Sequence, residues 1–238
     1  MKEVIKKILK KTFVYRIYRD KQSAIRAAHL KQLSEMLKDE GPRVLQLFSK
    51  ALDEADIKFW IDYGTLLGFH REHDFIAHDN DLDTGAFIED APRIKVALEK
   101  IGFRLIRHYR TEDGEGLEHC YAYKDSSLTI DVFYYRRNGN TVSCICYYPK
   151  PEYPVEKNLF KEIPFTCYSV TSPFTGLVEA VFKDAKVYVP INTDEYLQAN
   201  YGEHYMTPDP NYSASDSTNI HKFSYEEKPA VGYLEIPY

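Results

Sequence analysis

"DYGTLLGFHREHDFIAHDNDLD", residues 62–83, decides how this chain is read, because a Gly-Thr turn is followed by Asp79, Asp81 and Asp83 at alternate positions. Carboxylates so spaced repel one another unless something cationic sits among them. Just ahead, "IKFWID" (57–62) is a compact apolar run with aromatic and β-branched members, which predicts a buried strand leading into the turn at Gly64. "TLLGFHRE" (65–72) is compatible with a short helix. "NDLDTGAFI" (80–88) alternates as a strand, with Asp81 and Asp83 on one face and Leu82 turned to the core.

Upstream, residues 22–57 carry apolar residues at helical spacing, including Ile25, Leu30, Leu33 and Leu37, and predict one or two helices with a break at Gly41-Pro42. Downstream, "APRIKVALEKIG" (91–102) reads as an amphipathic helix stopped by Gly102. Four strand-like runs follow: "FRLIRHY" (103–109), "LEHCYAY" (117–123), "LTIDVFYY" (128–135) and "TVSCICYY" (141–148). Past residue 148 the prolines at 149, 151, 154, 164 and 173 are read as loop markers, and "NTDEYLQANYG" (192–202) as a last helix. The expected fold is α+β: one mixed or antiparallel sheet with flanking helices. Its expected parts are a basic helical extension at 1–50, a catalytic domain at 51–207 and an irregular C-terminal arm at 208–238, with "VGYLEIPY" (231–238) as an edge strand.

With 44% hydrophobic and 28% charged residues, the 238-residue chain is composed like a globular protein that can bury a sizeable core. Its net charge of −5 is unevenly spread. Residues 1–50 hold 13 Lys+Arg against 5 Asp+Glu, leaving 18 against 31, a net of −13, for residues 51–238. So acidic a body argues against nucleic acid as a partner. Cys120, Cys144, Cys146 and Cys167 form no C-x-x-C pair, and buried free thiols in a reducing compartment are expected. No apolar run reaches the roughly 18 residues that a transmembrane helix needs, and the start lacks the features of a signal peptide. A cytoplasmic location follows as the expectation. In residues 1–20, Ile5, Ile8, Leu9 and Phe13 recur at helical spacing among Lys2, Lys6, Lys7, Lys10 and Lys11. That pattern suits peripheral contact with an anionic membrane, or packing on the domain itself or on a second subunit.

Asp81 and Asp83 are candidate ligands of one hard divalent ion, with substrate phosphates and water completing its shell. Asp131 is the one charged residue in an otherwise apolar and aromatic run, and is the candidate third carboxylate. Gly64 and Thr65, at the start of a helix, are candidate phosphate binders through their amides, and Arg71 through its planar fork. Asp79, Asp81, Asp83 and Asp90 also match positions 1, 3, 5 and 12 of a calcium loop, but Thr84 stands where that loop needs glycine. Tyr121, Tyr123, Tyr134 and Tyr135 are read either as core packing or as a platform for a sugar or cytosine ring.

"FWIDYGTLLGFHREHDFIAHDNDLD" resembles the signature of the LicD/fukutin-related family, and "YLQANYGEHYMTP" (196–208) is similar to its C-terminal tyrosine-glycine segment. Gly64, Thr65, Arg71, Asp79, Asp81, Asp83, Asp131, Tyr201 and Gly202 fall on matching positions. Asn80 and His78 depart from the usual pattern. The resemblance implies a nucleotidyltransferase-like fold and a transferase that moves phosphocholine, ribitol phosphate, glycerol phosphate or a similar group from a CDP-activated alcohol to a glycan hydroxyl. It implies one or two Mg²⁺ (or Mn²⁺) ions held by Asp81, Asp83 and Asp131, Asp131 being either a ligand or the general base. It also implies a role in surface polysaccharide, lipopolysaccharide or teichoic acid decoration, while a peripheral place at the inner face of the membrane is an expectation from the basic residues 1–20. The alternatives are a nucleotidyltransferase that moves NMP from an NTP, and a calcium-stabilised glycan-binding module without catalysis.

Overall fold

The computed structural model describes residues 13–124, 126–150, 162–209, 212 and 217–234. Most of the basic amphipathic stretch, residues 1–12, lies outside them. A long helix, α1 (Phe13–Glu54), runs straight through Gly41-Pro42, where a break was expected. Leu37, Val44, Leu45, Phe48 and Leu52 form one buried stripe along it. At roughly 1.5–3 kcal/mol each, these five outweigh the roughly 3 kcal/mol penalty of an internal proline. Because the stripe begins at Leu37, the expected division at residue 50 falls inside this helix, and its second half belongs to the core.

β1 (Phe59–Ile61) leads into α2 (Tyr63–Arg71), then β2 (Leu82–Phe87), a short 3-10 turn and α3 (Ala91–Lys100). The strands that follow are β3 (Phe103–Thr111), β4 (Leu117–Tyr123), β5 (Thr129–Asn138) and β6 (Thr141–Pro149). Then come β7 (Glu162–Pro173), β8 (Leu177–Phe182), β9 (Ala185–Pro190), α4 (Thr193–Tyr201), β10 (Ile220–Lys222) and β11 (Ala230–Leu234). β1 is antiparallel to β2, and β2 is parallel to β5.

The sheet is mixed, as expected, but it is not open. Following the antiparallel pairings from β5 through β4, β3, β11, β7 and β6 leads back to β5, so six strands close into a barrel. Two features close it. β5 pairs β4 through Thr129–Phe133 and β6 through Arg136–Asn138. β11, expected at an edge, pairs with β3 on one side and β7 on the other. Closure removes the edges that an isolated arm would leave exposed.

The prolines misled at β7, which contains Pro164 and ends at Pro173. β6 stops opposite Phe165, so at Pro164 the strand has a ladder partner on one side only, where a missing N–H is tolerated. β8 and β9 form a separate hairpin against α1, to which Gln46 ties it through the Lys183 carbonyl at 2.8 Å. Trp60, Ile61, Leu66, Ile94, Leu98 and Val187 meet α1 in the main core. Tyr121, Tyr134 and Tyr135 are fully buried, so core packing is their role rather than an open platform; Tyr123 is half-buried. All four cysteines are free and buried.

Candidate active site

The turn between β1 and α2 is organised by Asp62, which is wholly buried. As the α2 N-cap its carboxylate accepts from the Tyr63 amide at 2.9 Å, from the Tyr135 hydroxyl at 2.7 Å and from the Tyr196 hydroxyl of α4 at 3.0 Å. Its own amide donates to the Asp83 carbonyl at 3.0 Å. The cap makes α2 begin at Tyr63, before the Gly-Thr pair rather than after it. Tyr63 takes a left-handed φ of +36°, and its hydroxyl lies 3.3 Å from the Cys144 sulfur. Such strain costs about 1–3 kcal/mol and persists where packing over-determines it.

Gly64 and Thr65 then act on Asp83. The Gly64 N–H donates to Asp83 Oδ2 at 3.0 Å, and the Thr65 hydroxyl accepts from the Asp83 amide at 2.9 Å. The Gly64 amide that was expected to face a donor phosphate is therefore engaged by a carboxylate. A side chain at Gly64 would have to push these acids aside, since a Cβ would stand 2.4 Å from Asp79 Oδ2 and 3.2 Å from Asp83 Oδ2. The same glycine thus has both carboxylates packed against it.

Asp83 lies on β2 directly opposite Asp131 of β5, and Cα partners on adjacent strands share a face. Asp81 sits one residue before β2 rather than on it. Its charge acts on Asp83, and that of Asp131 acts on it. The third carboxylate expected from the sequence, 48 positions from Asp83 by its number, is thereby brought beside it. Asp131 Oδ1 is buried and has no hydrogen-bond partner. Asp131 lies opposite Cys120 of β4, and Cys120 opposite Arg107 of β3, so one polar row crosses four strands.

Crowding shifts these acids upward. Burial, then the charges of Asp131 and Asp79, push Asp81 up to about 7. Burial and Glu72 push Asp79 up to about 6, against the pull of Arg71 and His78. Asp83 is held well above the usual carboxylate range by burial and by Asp81, Asp131, Asp79 and Asp62. Burial also raises Asp131, with Arg107 opposing it.

Among the described residues no group of three or more His, Cys, Asp or Glu side chains is placed so that it could by itself hold a metal ion. Mg²⁺ does not need one, since it commonly takes one or two carboxylates and completes its octahedron with water and substrate phosphates. Hard oxygen donors, mutual repulsion and the orphaned Asp131 oxygen are what such an ion would relieve, so the residues fit it. The calcium-loop reading does not fit: β2 occupies the middle of that stretch, and Asp90 pairs with Arg93 at 2.7 Å.

Arg71, at the far end of α2, donates to Glu72 at 2.7 Å and to the Tyr205 carbonyl at 3.2 Å. Tyr201 closes α4 against Tyr212, at 5.0 Å between ring centroids, and feels the charges of Asp83 and Asp79. Gly202 follows with a φ of +88°, which favours glycine. Sequence reasoning missed Asp62, Arg107, Cys120 and the buried Glu118. Asp62 carried a legible signal, an Asp just before a helix. The others become site residues only through strand register.

The comparisons with known proteins fall on this region. Residues 56–190 match the family described as LicD/FKTN/FKRP, nucleotidyltransferase domain. The ribitol-5-phosphate transferase FKTN of Homo sapiens is 30% identical over 172 residues, covering 69% of this chain and 33% of that protein. Its Mus musculus counterpart is 27% identical over 180 residues, covering 73% and 34%. An uncharacterized protein of Rickettsia typhi is 30% identical over 123 residues, covering 47% and 36%. The chain therefore spans about a third of the length of the curated relatives it matches. The crystal structure of ANT(2")-Ia in complex with adenylyl-2"-tobramycin overlays with a TM-score of 0.41 at 12% identity, covering 74% of this chain and 82% of that one. Since the matched segment contains the Asp62 cap, Gly64, all four clustered aspartates and Arg107, and takes in 135 of the 238 residues, the chain belongs to the LicD/FKTN/FKRP family.

Proposed function

We propose that the chain is a transferase that moves a phospho-alcohol, such as ribitol phosphate, glycerol phosphate or phosphocholine, from a CDP-activated donor to a glycan hydroxyl. The observation that carries this reading is the in-register pair Asp83 and Asp131, with Asp81 and Asp79 beside it and an unpartnered carboxylate oxygen, inside the segment that the family model covers. The name of the FKTN relatives supports the class of group transferred. It is carried over as part of this proposal, because only a third of those proteins is matched.

In the proposed reaction the acceptor hydroxyl oxygen bonds to the phosphorus that bears the alcohol, and the bond from that phosphorus to the bridging oxygen breaks. Cytidine monophosphate leaves with the bond's electron pair, and the acceptor gives up its proton. Asp81, Asp83 and Asp131 would hold one or two Mg²⁺ ions, which when bound neutralise charge on the diphosphate. Gly64 and Thr65 serve by fixing Asp83 through amide and hydroxyl. Asp131, with a free oxygen on the same face, either shares the ion or takes the acceptor's proton. Arg71 is assigned to the donor diphosphate and would exchange Glu72 for it. We also assign the chain to the cytoplasmic face of a membrane, on the strength of the basic residues 1–20.

The test is release of CMP from a panel of CDP-alcohols, with nucleoside triphosphates in parallel, in Mg²⁺ and in EDTA. Turnover of one CDP-alcohol that EDTA stops supports the reading. Turnover of a triphosphate with pyrophosphate release would replace it with nucleotidyl transfer.

A further inference from the structure

Arg107 ends the polar row described above, and a local irregularity puts it there. β3 and β4 pair Leu105 with Tyr121, then slip by one residue, so that Arg107 pairs with Cys120. Without that bulge the ladder would continue two residues on, with Arg107 opposite His119, on the other face. That other face is already filled: His119 is buried, with its Nδ1 3.0 Å from the Tyr121 hydroxyl and 3.1 Å from that of Tyr134. The extra residue at Ile106 therefore turns a guanidinium from a packed core onto the face that carries Asp131.

Once there, Arg107 Nη2 donates to the Cys120 sulfur at 2.8 Å, and Cys120 stands directly opposite Asp131 in the β4–β5 ladder. Arg107 Nε is buried with no partner. Among the described residues its positive charge is the one that acts on Asp81, Asp131 and Glu118 together. Arg71, the other arginine near the cluster, acts on Asp79 and is paired to Glu72.

We infer that Arg107 is a positioning residue, a fixed counter-charge aimed by the Ile106 bulge that holds Asp131 through the Cys120 thiol and sets how strongly the acid cluster takes a divalent cation. Only the last part rests on the metal reading above. A guanidinium near the cluster repels an incoming dication, so removing it tightens cation binding even as Asp131 loses its orientation.

The experiment has two readouts. In metal-free buffer, a double-mutant cycle pairs Arg107→Met with Asp131→Asn by denaturant unfolding. Arg107→Met is expected to lower the midpoint in the native background and to lose at least half of that effect when Asp131 is already amidated. Equal losses in both backgrounds would overturn the counter-charge. If Arg107→Met does not fold, Arg107→Gln, which keeps a donor for Cys120, takes its place in the same cycle. Second, calorimetry with Mg²⁺ alone should show Arg107→Met binding about tenfold tighter than the native protein, with Arg107→Lys within about threefold of it. Unchanged or weaker Mg²⁺ binding in Arg107→Met would overturn the link to the cation. A native protein that takes up no Mg²⁺ would sink the metal reading and the affinity link together, while the metal-free cycle still decides the counter-charge.

Discussion

Gly64→Ala separates folding from chemistry in this site. An added Cβ would stand 2.4 Å from Asp79 Oδ2, about 1 Å inside ordinary van der Waals contact, and 3.2 Å from Asp83 Oδ2. The atoms it meets are the ends of short side chains, so Asp79 can turn aside at about 0.5–1.5 kcal/mol for a distorted rotamer. Alanine within a helix returns about 0.8–1.0 kcal/mol relative to glycine. The two nearly cancel, and the unfolding free energy should change by less than about 1 kcal/mol. Catalysis has no such compensation. Moving a carboxylate by about 1 Å at a reacting centre costs roughly a hundredfold in rate. The assay is CMP release on the best CDP-alcohol, alongside chemical denaturation. A variant of native stability with turnover within about threefold of the parent would refute the placement of Gly64 against the acids. The comparison is Gly85→Ala, whose Cβ would fall 2.2 Å from the buried Trp60 ring. With nothing flexible to yield, overpacking there should cost about 3 kcal/mol or more and be visible in stability alone.

The other expectations concern the carboxylates. Asp81→Asn and Asp83→Asn should each reduce CMP release at least about a hundredfold without lowering the melting temperature, because each relieves repulsion; native turnover in either removes that residue from the chemistry. Asp62→Ala leaves two buried tyrosine hydroxyls and the Tyr63 amide without their acceptor, and should cost about 3–5 kcal/mol in denaturant unfolding. A loss under about 1 kcal/mol would show that Asp62 does not organise the turn. In EDTA, stability should fall as pH rises from about 4 to 7. Asp62 and Asp79 are pushed up to about 6 and Asp81 to about 7, so the native state holds protons that the unfolded chain has released. Melting curves across that range in EDTA and in Mg²⁺ check this; a flat or rising profile in EDTA contradicts it, and Mg²⁺ should flatten the decline.

Much of the local structure was legible in the residues. The β1–α2–β2 unit followed from a short apolar run, a helix-compatible segment and an alternating one, since strand and helix periods are properties of neighbouring residues. α3, α4 and the four strands from Phe103 to Pro149 were visible for the same reason. The family resemblance of residues 62–83 was borne out by the match over residues 56–190. Two local cues failed where a distant partner outweighed them. The proline in α1 was overridden by a stripe packed on β9 and β1, and Pro164 was accommodated because β6 ends beside it.

What the chain order alone determined, then, was the sequence of elements and the spacing of Asp79, Asp81 and Asp83. Tertiary structure decided which acids meet. Asp131 joins Asp83 because β2 and β5 pair in one particular register, a choice made by burying Leu82, Ile130 and Val132 rather than by any local pattern. It also decided that β11 would close a barrel and that a single extra residue at Ile106 would turn Arg107 toward the acids. Side chains alternate with a period of two, so one inserted residue reverses a face, and pairing across more than a hundred residues depends on what the whole core can bury.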